Sequence, residues 1–402
     1  MPWQESSPMS ERLEFIQACL DRTEHIVKIC DRFRISEKTG QKWLKRFKEG
    51  GFAALEDRSH APKNHKGRIT PEVKERLIAL KKKYPLYGPE TLKRWLDLHE
   101  PRKNGLRWPA SSSIGHLLCR EGLVRRKRRR NLPIETARSS EDSGQRSKAV
   151  QPNDVWTADF KGEFRLHRGR GEYCYPLTVL DLNSHYLFAC RALKSVAVDP
   201  VKSVFQQLFR EYGLPWVMRT DNGVPFAQPN AFGNLGKLSF WWIRLGIRPE
   251  LITPGKPQEN GAHERFHRTL KEAATRPSEK DFKSQQKRFD SYMKEYNEER
   301  PHRSLEGTTP SRVYERSPRT YPEKLPALIY PEIAEVRVID SGGSFKWHSK
   351  NHFLSKNLAG EYIGLIENDA ELITISYGTL ELGVLDLELN RFTPRLRWHS
   401  QE

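Results

Sequence analysis

The feature that most constrains the fold lies at residue 151, where the texture of the chain changes. Three strand-like runs follow one another, "DVWTADFKGEF", "YPLTVLDLN" and "HYLFACRAL", rich in β-branched and aromatic residues with turn signals between them. A helical pattern comes next, over about 196–212, with Val201, Val204, Phe205, Leu208 and Phe209 inward. Strand and helix then alternate through "WVMRTDNG", "LSFWWIRLGI", "RPELI" and "NGAHERFHRTLKEAATR". A meander of three strands followed by this alternation calls for a mixed sheet with helices packed on it.

That order is the outline of an RNase H-like α/β domain, expected over 151–315 with a trailing helix at 280–299. The chain around it is built differently. Residues 1–62 read as short helices: Leu13, Ile16 and Leu20 recur at helical spacing, then Ile26, Val27, Cys30 and Phe33, then Trp43, Leu44 and Phe47. Ser36 is placed to cap the third. This is a helix-turn-helix layout, and Lys38, Gln41, Lys42 and Lys45 occupy the face a recognition helix turns to DNA. A second helix-turn-helix-like unit spans 68–130, opening at Thr70 as N-cap with Pro71 in the first turn, and ending in a basic strap of Arg125, Arg126, Lys127, Arg128, Arg129 and Arg130. Residues 131–150 and 317–332 read as linkers, and the short strands of 330–397 imply a small SH3-like β-barrel.

Charge points to the partner. Lysine and arginine outnumber the acids 69 to 51, a net +18, which favours a polyanion, most simply nucleic acid. No apolar run approaches a membrane span, and the N-terminus lacks the layout of a signal peptide. The five cysteines are scattered without a C-x-x-C pair, which argues against a disulfide framework or a thiolate zinc site and fits a reducing cytoplasm.

One motif points elsewhere. "HERFH" at 263–267 fits H-E-x-x-H, in which two histidines hold zinc and the glutamate is a general base. An extended metalloprotease match would need Gly at 270 and His at 273, where the chain has Leu270 and Ala273, and no third ligand is evident. On a helical wheel Phe266, Leu270, Ala273 and Ala274 form the apolar stripe; Glu264, Arg268 and Lys271 lie on the other side, with the two histidines near the boundary. Asp159 and Asp221 end two strands that are neighbours in an RNase H-like sheet, so two aspartates and Glu264 make an oxygen-donor set for Mg²⁺. Each alone has an ordinary explanation, a strand-end turn, a turn-opening aspartate or an i,i+4 partner for Arg268. Asp181 and Glu259 compete, the first one strand further from Asp221 and the second in a glycine-containing loop.

The pieces "WTADF", "TDNGVPF", "PGKPQENGAHERFHRTLK" and "YNEERPHRSLEGTTP" resemble the integrase core of DDE transposases and retroviral integrases, in particular bacterial insertion-sequence transposases. The resemblance implies that Asp159, Asp221 and Glu264 are the catalytic triad, because Glu264 follows Gly261 by three residues as the family glutamate follows its loop glycine, which excludes Glu259. It implies two Mg²⁺ or Mn²⁺ ions and no zinc, 3'-end cleavage and strand transfer, transposon-end and target DNA as partners, and at least a dimer in the active complex. It leaves room for an ATPase helper, and it implies a bacterial, nucleoid-associated location. Arg268 and Lys271 stand where the family's basic residues touch DNA ends, with Lys256 and Gln258 in the preceding loop. Two departures stand out: 42 residues between Asp221 and Glu264 (264 − 221 − 1), and helix-turn-helix modules in place of a zinc-binding N-terminal unit. The alternative is a catalytically inactive DNA-binding regulator or decayed mobile element that kept the fold.

Overall fold

The structure, a computed structural model, describes residues 7–21, 24–57, 69–102, 107–124, 146–167, 171–228, 231–253, 261–368 and 371–398. The chain divides into two compact units, Met1–Arg68 and Ile69–Glu402.

In the first unit, helices α1 (Pro8–Leu20), α2 (Ile26–Arg32) and α3 (Glu37–Gly50) close over Phe15, Ile16, Ile29, Cys30 and Leu55. Ser36 caps α3 as its sequence predicts, its hydroxyl accepting from the Thr39 N–H at 3.3 Å. The helices approach closely at Gly40, where a Cβ would stand 2.4 Å from Cys30 Sγ and 2.9 Å from Phe15 Cζ. Two residues expected inward are not: Leu20 is 51% and Val27 41% exposed. Phe15, adjacent to Ile16, fills the interior that Leu20, the last residue of α1, overshoots.

The second unit begins with α4 (Pro71–Lys83), α5 (Pro89–His99) and α6 (Ser111–Arg120), packed around Leu77, Leu80, Leu92, Leu96, Ile114 and Leu118. Thr70 holds the N-cap position of α4 but makes no side-chain cap bond, so Pro71 alone marks that start.

The mixed sheet follows. Its strands are β1 (Val155–Phe160), β2 (Phe164–Arg165), β3 (Tyr173–Asp181), β4 (Leu187–Leu193), β5 (Val217–Thr220) and β6 (Arg248–Leu251). β1 is central, antiparallel to β3 and parallel to β5; β4 and the short β2 pair with β3, and β6 lies parallel beyond β5. Alternation along β1 assigns its two faces. Trp156 and Ala158 join the core under α7 (Val198–Tyr212) and α8 (Lys237–Arg244). The opposite face carries Leu180, Leu187 and Cys190 under α9 (Gly261–Leu270) and α10 (Phe282–Lys294).

Both expected linkers are tied to the α/β core where they are described. Arg219 bonds the Ser147 carbonyl at 2.7 Å and Glu250 at 2.6 Å, holding 146–150 along the β5–β6 edge. Beyond the sheet, Ser317 and Arg319 bond the backbone of Tyr212, Leu214, Pro215 and Leu245, so this stretch is a strap despite its prolines.

The C-terminal strands are β7 (Glu335–Val338), β8 (Ser344–Trp347), β9 (Lys350–Phe353), β10 (Tyr362–Glu367), β11 (Leu372–Tyr377), β12 (Leu380–Asp386) and β13 (Arg391–Trp398). Five form an antiparallel sheet in the order β13-β12-β11-β10-β7, and β8 pairs with β9 as a hairpin. The sheet does not close into the SH3-like barrel that strand spacing suggests. Part of its apolar covering comes instead from α8: Phe240 and Ile243 join its core with Leu235, while Trp241 and Trp242 face the central sheet. Serving two cores makes α8 apolar on nearly every side, the composition of a fully buried helix.

Candidate active site

Register places the first two carboxylates. Ala158 of β1 pairs with Thr220 of β5, so the next residues along two parallel strands, Asp159 and Asp221, stand side by side at their carboxyl ends. Neighbouring strands are about 4.8 Å apart, within range of one bridging cation. Parity puts both on the α9 face, because Trp156 and Ala158 point the other way.

The turn after β5 keeps Asp221 open to a ligand. The Asn222 side chain donates to the Ile252 carbonyl at 2.7 Å and pins the turn. Gly223 donates its N–H to Asp221 Oδ1 at 3.2 Å, and a Cβ at Gly223 would lie 2.9 Å from Oδ2. Burial pushes the Asp221 carboxyl above its usual range, and that N–H offsets only part of the shift. Among the described residues no cationic side chain is within ion-pair distance of Asp221 or Glu264.

Glu264 sits exposed on the first turn of α9. What docks that helix is the pair of histidines that imitated a zinc motif. His263 is fully buried, not at the boundary, with Nδ1 2.7 Å from the Thr157 hydroxyl. His267 Nε2 lies 2.9 Å from the Thr178 hydroxyl, which itself donates to the Asp159 carbonyl at 2.9 Å. Burial first, then His267, drives His263 far below the usual histidine range; burial, then Lys161, brings His267 down to about 4. Both rings are neutral pegs between α9 and the sheet. His267 comes within 3.9 Å of Asp159 Oδ2, about one helical turn beyond Glu264.

The carboxylates are thus brought together unequally. Asp159 and Asp221 share a sheet edge, and Glu264 is carried on the helix pegged beside Asp159. Among the described residues no three acidic, histidine or cysteine side chains are yet gathered closely enough to hold a metal ion. The donor set nevertheless fits a hard divalent cation: oxygen ligands only, one of them half-buried with a single hydrogen bond and a glycine beside it.

Asp181 is excluded for a stronger reason than strand order. β3 runs antiparallel, and Asp181 pairs with Trp156, at the opposite end of the sheet and on its other face. Its carboxylate accepts from the N–H of Asn153 (2.8 Å) and from the N–H and hydroxyl of Ser184 (both 2.7 Å).

Around the site, Arg268 is exposed and Lys271 half-buried. Sequence reasoning missed Lys161, whose ammonium is lowered by burial and then by Lys271 and Arg276. Its signal was available: two residues past Asp159, strand alternation puts it on the same face. Lys38, Gln41, Lys42 and Lys45 are all exposed along α3. Lys256, Gln258, Glu259 and Arg125 to Arg130 lie outside the described residues.

Known families match in the same places. The family described as "Integrase core domain" matches residues 149–257, and a second of that description matches 245–310. "Helix-turn-helix domain" matches 11–63 and "Homeodomain-like domain" 39–118. The Gag-Pol polyprotein of baboon endogenous virus (strain M7) is 31% identical over 134 residues, 33% of this chain and 7% of the polyprotein. The Pol polyprotein of radiation murine leukemia virus (strain Kaplan) is 28% identical over 143 residues, 36% and 23% of the two chains. The match thus spans a minor part of these relatives. Among solved structures, the HTLV-2 integrase catalytic core domain in complex with magnesium (trimeric form) is similar at 14% identity and TM-score 0.33, over 42% of this chain and 100% of that one. The simian T-cell lymphotropic virus intasome in complex with PP2A regulatory subunit B56 gamma has 12% identity and TM-score 0.35, over 81% and 99%.

Proposed function

From the premise that the chain belongs to the DDE transposase and retroviral integrase superfamily, through the integrase core carried by residues 149–310, we propose that it binds transposon-end DNA and catalyses metal-dependent 3'-end cleavage and strand transfer. The observation that carries this reading is the Ala158–Thr220 register, which sets Asp159 beside Asp221 on the face where α9 presents Glu264.

In this reading Asp159, Asp221 and Glu264 would hold two Mg²⁺ ions, or Mn²⁺ in their place. The chemistry supplied there is activation of an attacking oxygen and stabilisation of the leaving one in an in-line displacement at phosphorus. The first attack, by water, frees a 3'-hydroxyl; the second, by that hydroxyl, breaks a target phosphodiester and forms a new one. His263 and His267 hold α9 at the sheet so that Glu264 closes on the aspartates when cation and DNA arrive. Lys161, Arg268 and Lys271 steady the phosphates beside the reacting one. The exposed cations of α3 and the strap at 125–130 supply end binding. Joining two ends requires at least two copies of the chain, in the cytoplasm of a bacterial cell.

The test is joining of labelled end DNA in Mg²⁺. Asp221→Asn and Glu264→Gln should each lower joining by at least about a hundredfold, with end binding within about twofold. Normal joining by either variant rejects the assignment.

A further inference from the structure

A cavity of about 720 Å³ opens on the other flank of α9. Arg265, Arg300 and Arg303 line it with His185 and His302, over a base that includes Phe266 and Tyr296. Among the described residues no acidic side chain lines it. Among the described residues no carboxylate is within ion-pair distance of any of the three arginines, although other surface cations of this unit, such as Lys93, Arg94 and Arg288, are paired. A pocket lined by three guanidinium groups outside ion-pair distance of a carboxylate, with no acid in its described lining, is built for an anion.

Its walls are held in place. His302 N–H donates to the Thr308 carbonyl and the Gly307 N–H to the His302 carbonyl, both at 2.9 Å, closing the loop that presents Arg303. The Arg300 guanidinium lies 5.7 Å from the Tyr87 ring centre. The His302 ring stands edge-on to Tyr296 at 4.6 Å, and its Nε2 is buried without a hydrogen-bond partner. Thr269 on α9, whose hydroxyl donates to the Arg265 carbonyl at 3.2 Å, and Thr91 on α5 also line it, so the cavity is bounded by both the helical module and the core.

Position gives the cavity a role. At about 100° per residue, Arg265 and Thr269 lie about 100° to 140° around α9 from Glu264. One helix therefore faces the carboxylates on one side and the arginine cavity on another. We propose that this cavity is a second nucleic-acid site, in which Arg265, Arg300 and Arg303 grip a backbone phosphate of the DNA away from the phosphodiester at the carboxylates. The choice of DNA as the source of that phosphate rests on the functional reading above; the anion site itself does not.

The test uses the full chain with Arg265→Gln and Arg303→Gln combined, both exposed positions whose loss should leave the fold intact. A labelled mixed-sequence duplex of about 30 base pairs is titrated by fluorescence anisotropy across a salt series. The expected result is about tenfold weaker binding and a salt slope shallower by about 1 to 2. A control carrying Lys287→Gln and Lys294→Gln, exposed positions on α10, should change less than about twofold. Equal effects in the two double variants overturn the proposal. So does a rise in melting temperature with inorganic phosphate that depends on the two arginines while DNA affinity does not, which would make the ligand a free anion. Failure here leaves the joining result of Asp221→Asn untouched, so the two readings fail separately.

Discussion

Asp181 and Asp221 are the same residue type at the carboxyl end of a strand in one sheet, yet they occupy opposite situations. Asp181 is wholly buried and accepts three hydrogen bonds, from Asn153 and Ser184. Asp221 is half-buried and accepts one, from Gly223 at 3.2 Å. Burial raises both carboxyls, and only at Asp181 do several donors work against it. One aspartate has committed its lone pairs to the fold; the other has a single N–H donor set against the cost of its burial.

The sharpest break of that symmetry is in activity: Asp221→Ala should lose joining by at least about a hundredfold while its urea midpoint stays equal to or above that of the parent chain. Asp181→Ala should do the reverse to stability. It strands the N–H groups of Asn153 and Ser184 in the interior and should cost about 3 to 5 kcal/mol in urea unfolding. Next comes Mg²⁺, which should stabilise the parent chain by up to about 2.7 kcal/mol at a hundredfold excess over its dissociation constant, read as a melting shift that Asp221→Asn abolishes and Ser184→Ala keeps. His263→Ala removes a buried peg and should cost about 2 kcal/mol, with joining retained at low temperature; complete loss in well-folded protein would return the histidines to the chemistry. Smallest is Ser184→Ala, which leaves Asp181 two of its three donors and should cost about 1 kcal/mol.

Much of the central sheet was legible because its strands announce themselves locally. "DVWTADFKGEF" contains β1 and runs into β2, "YPLTVLDLN" overlaps β3, and the adjacency of β1 and β5 followed from strand order. What stayed hidden depended on partners distant in sequence. His263 looked like a boundary residue because a wheel cannot know that Thr157 waits beneath it. The open C-terminal sheet looked like a barrel because strand spacing says nothing of α8, whose Phe240 and Ile243 cover it. β13 went unread because "RFTPRLRW" carries three arginines and a proline, the composition of an edge strand, which is where it lies. The arginine cavity joins residues 91, 185, 265 and 300–304, a set no single motif contains.

The central claim is that Asp221 binds a divalent cation directly, and a change of ligand chemistry tests it. Asp221→Cys replaces a hard oxygen with a softer sulfur that Mg²⁺ disfavours and Mn²⁺ accepts more readily. Joining of pre-cleaved end DNA by this variant should vanish in Mg²⁺ and return in part in Mn²⁺, while the parent chain works in both. Equal joining in the two metals by Asp221→Cys, at the level of the parent chain, would contradict direct ligation by Asp221.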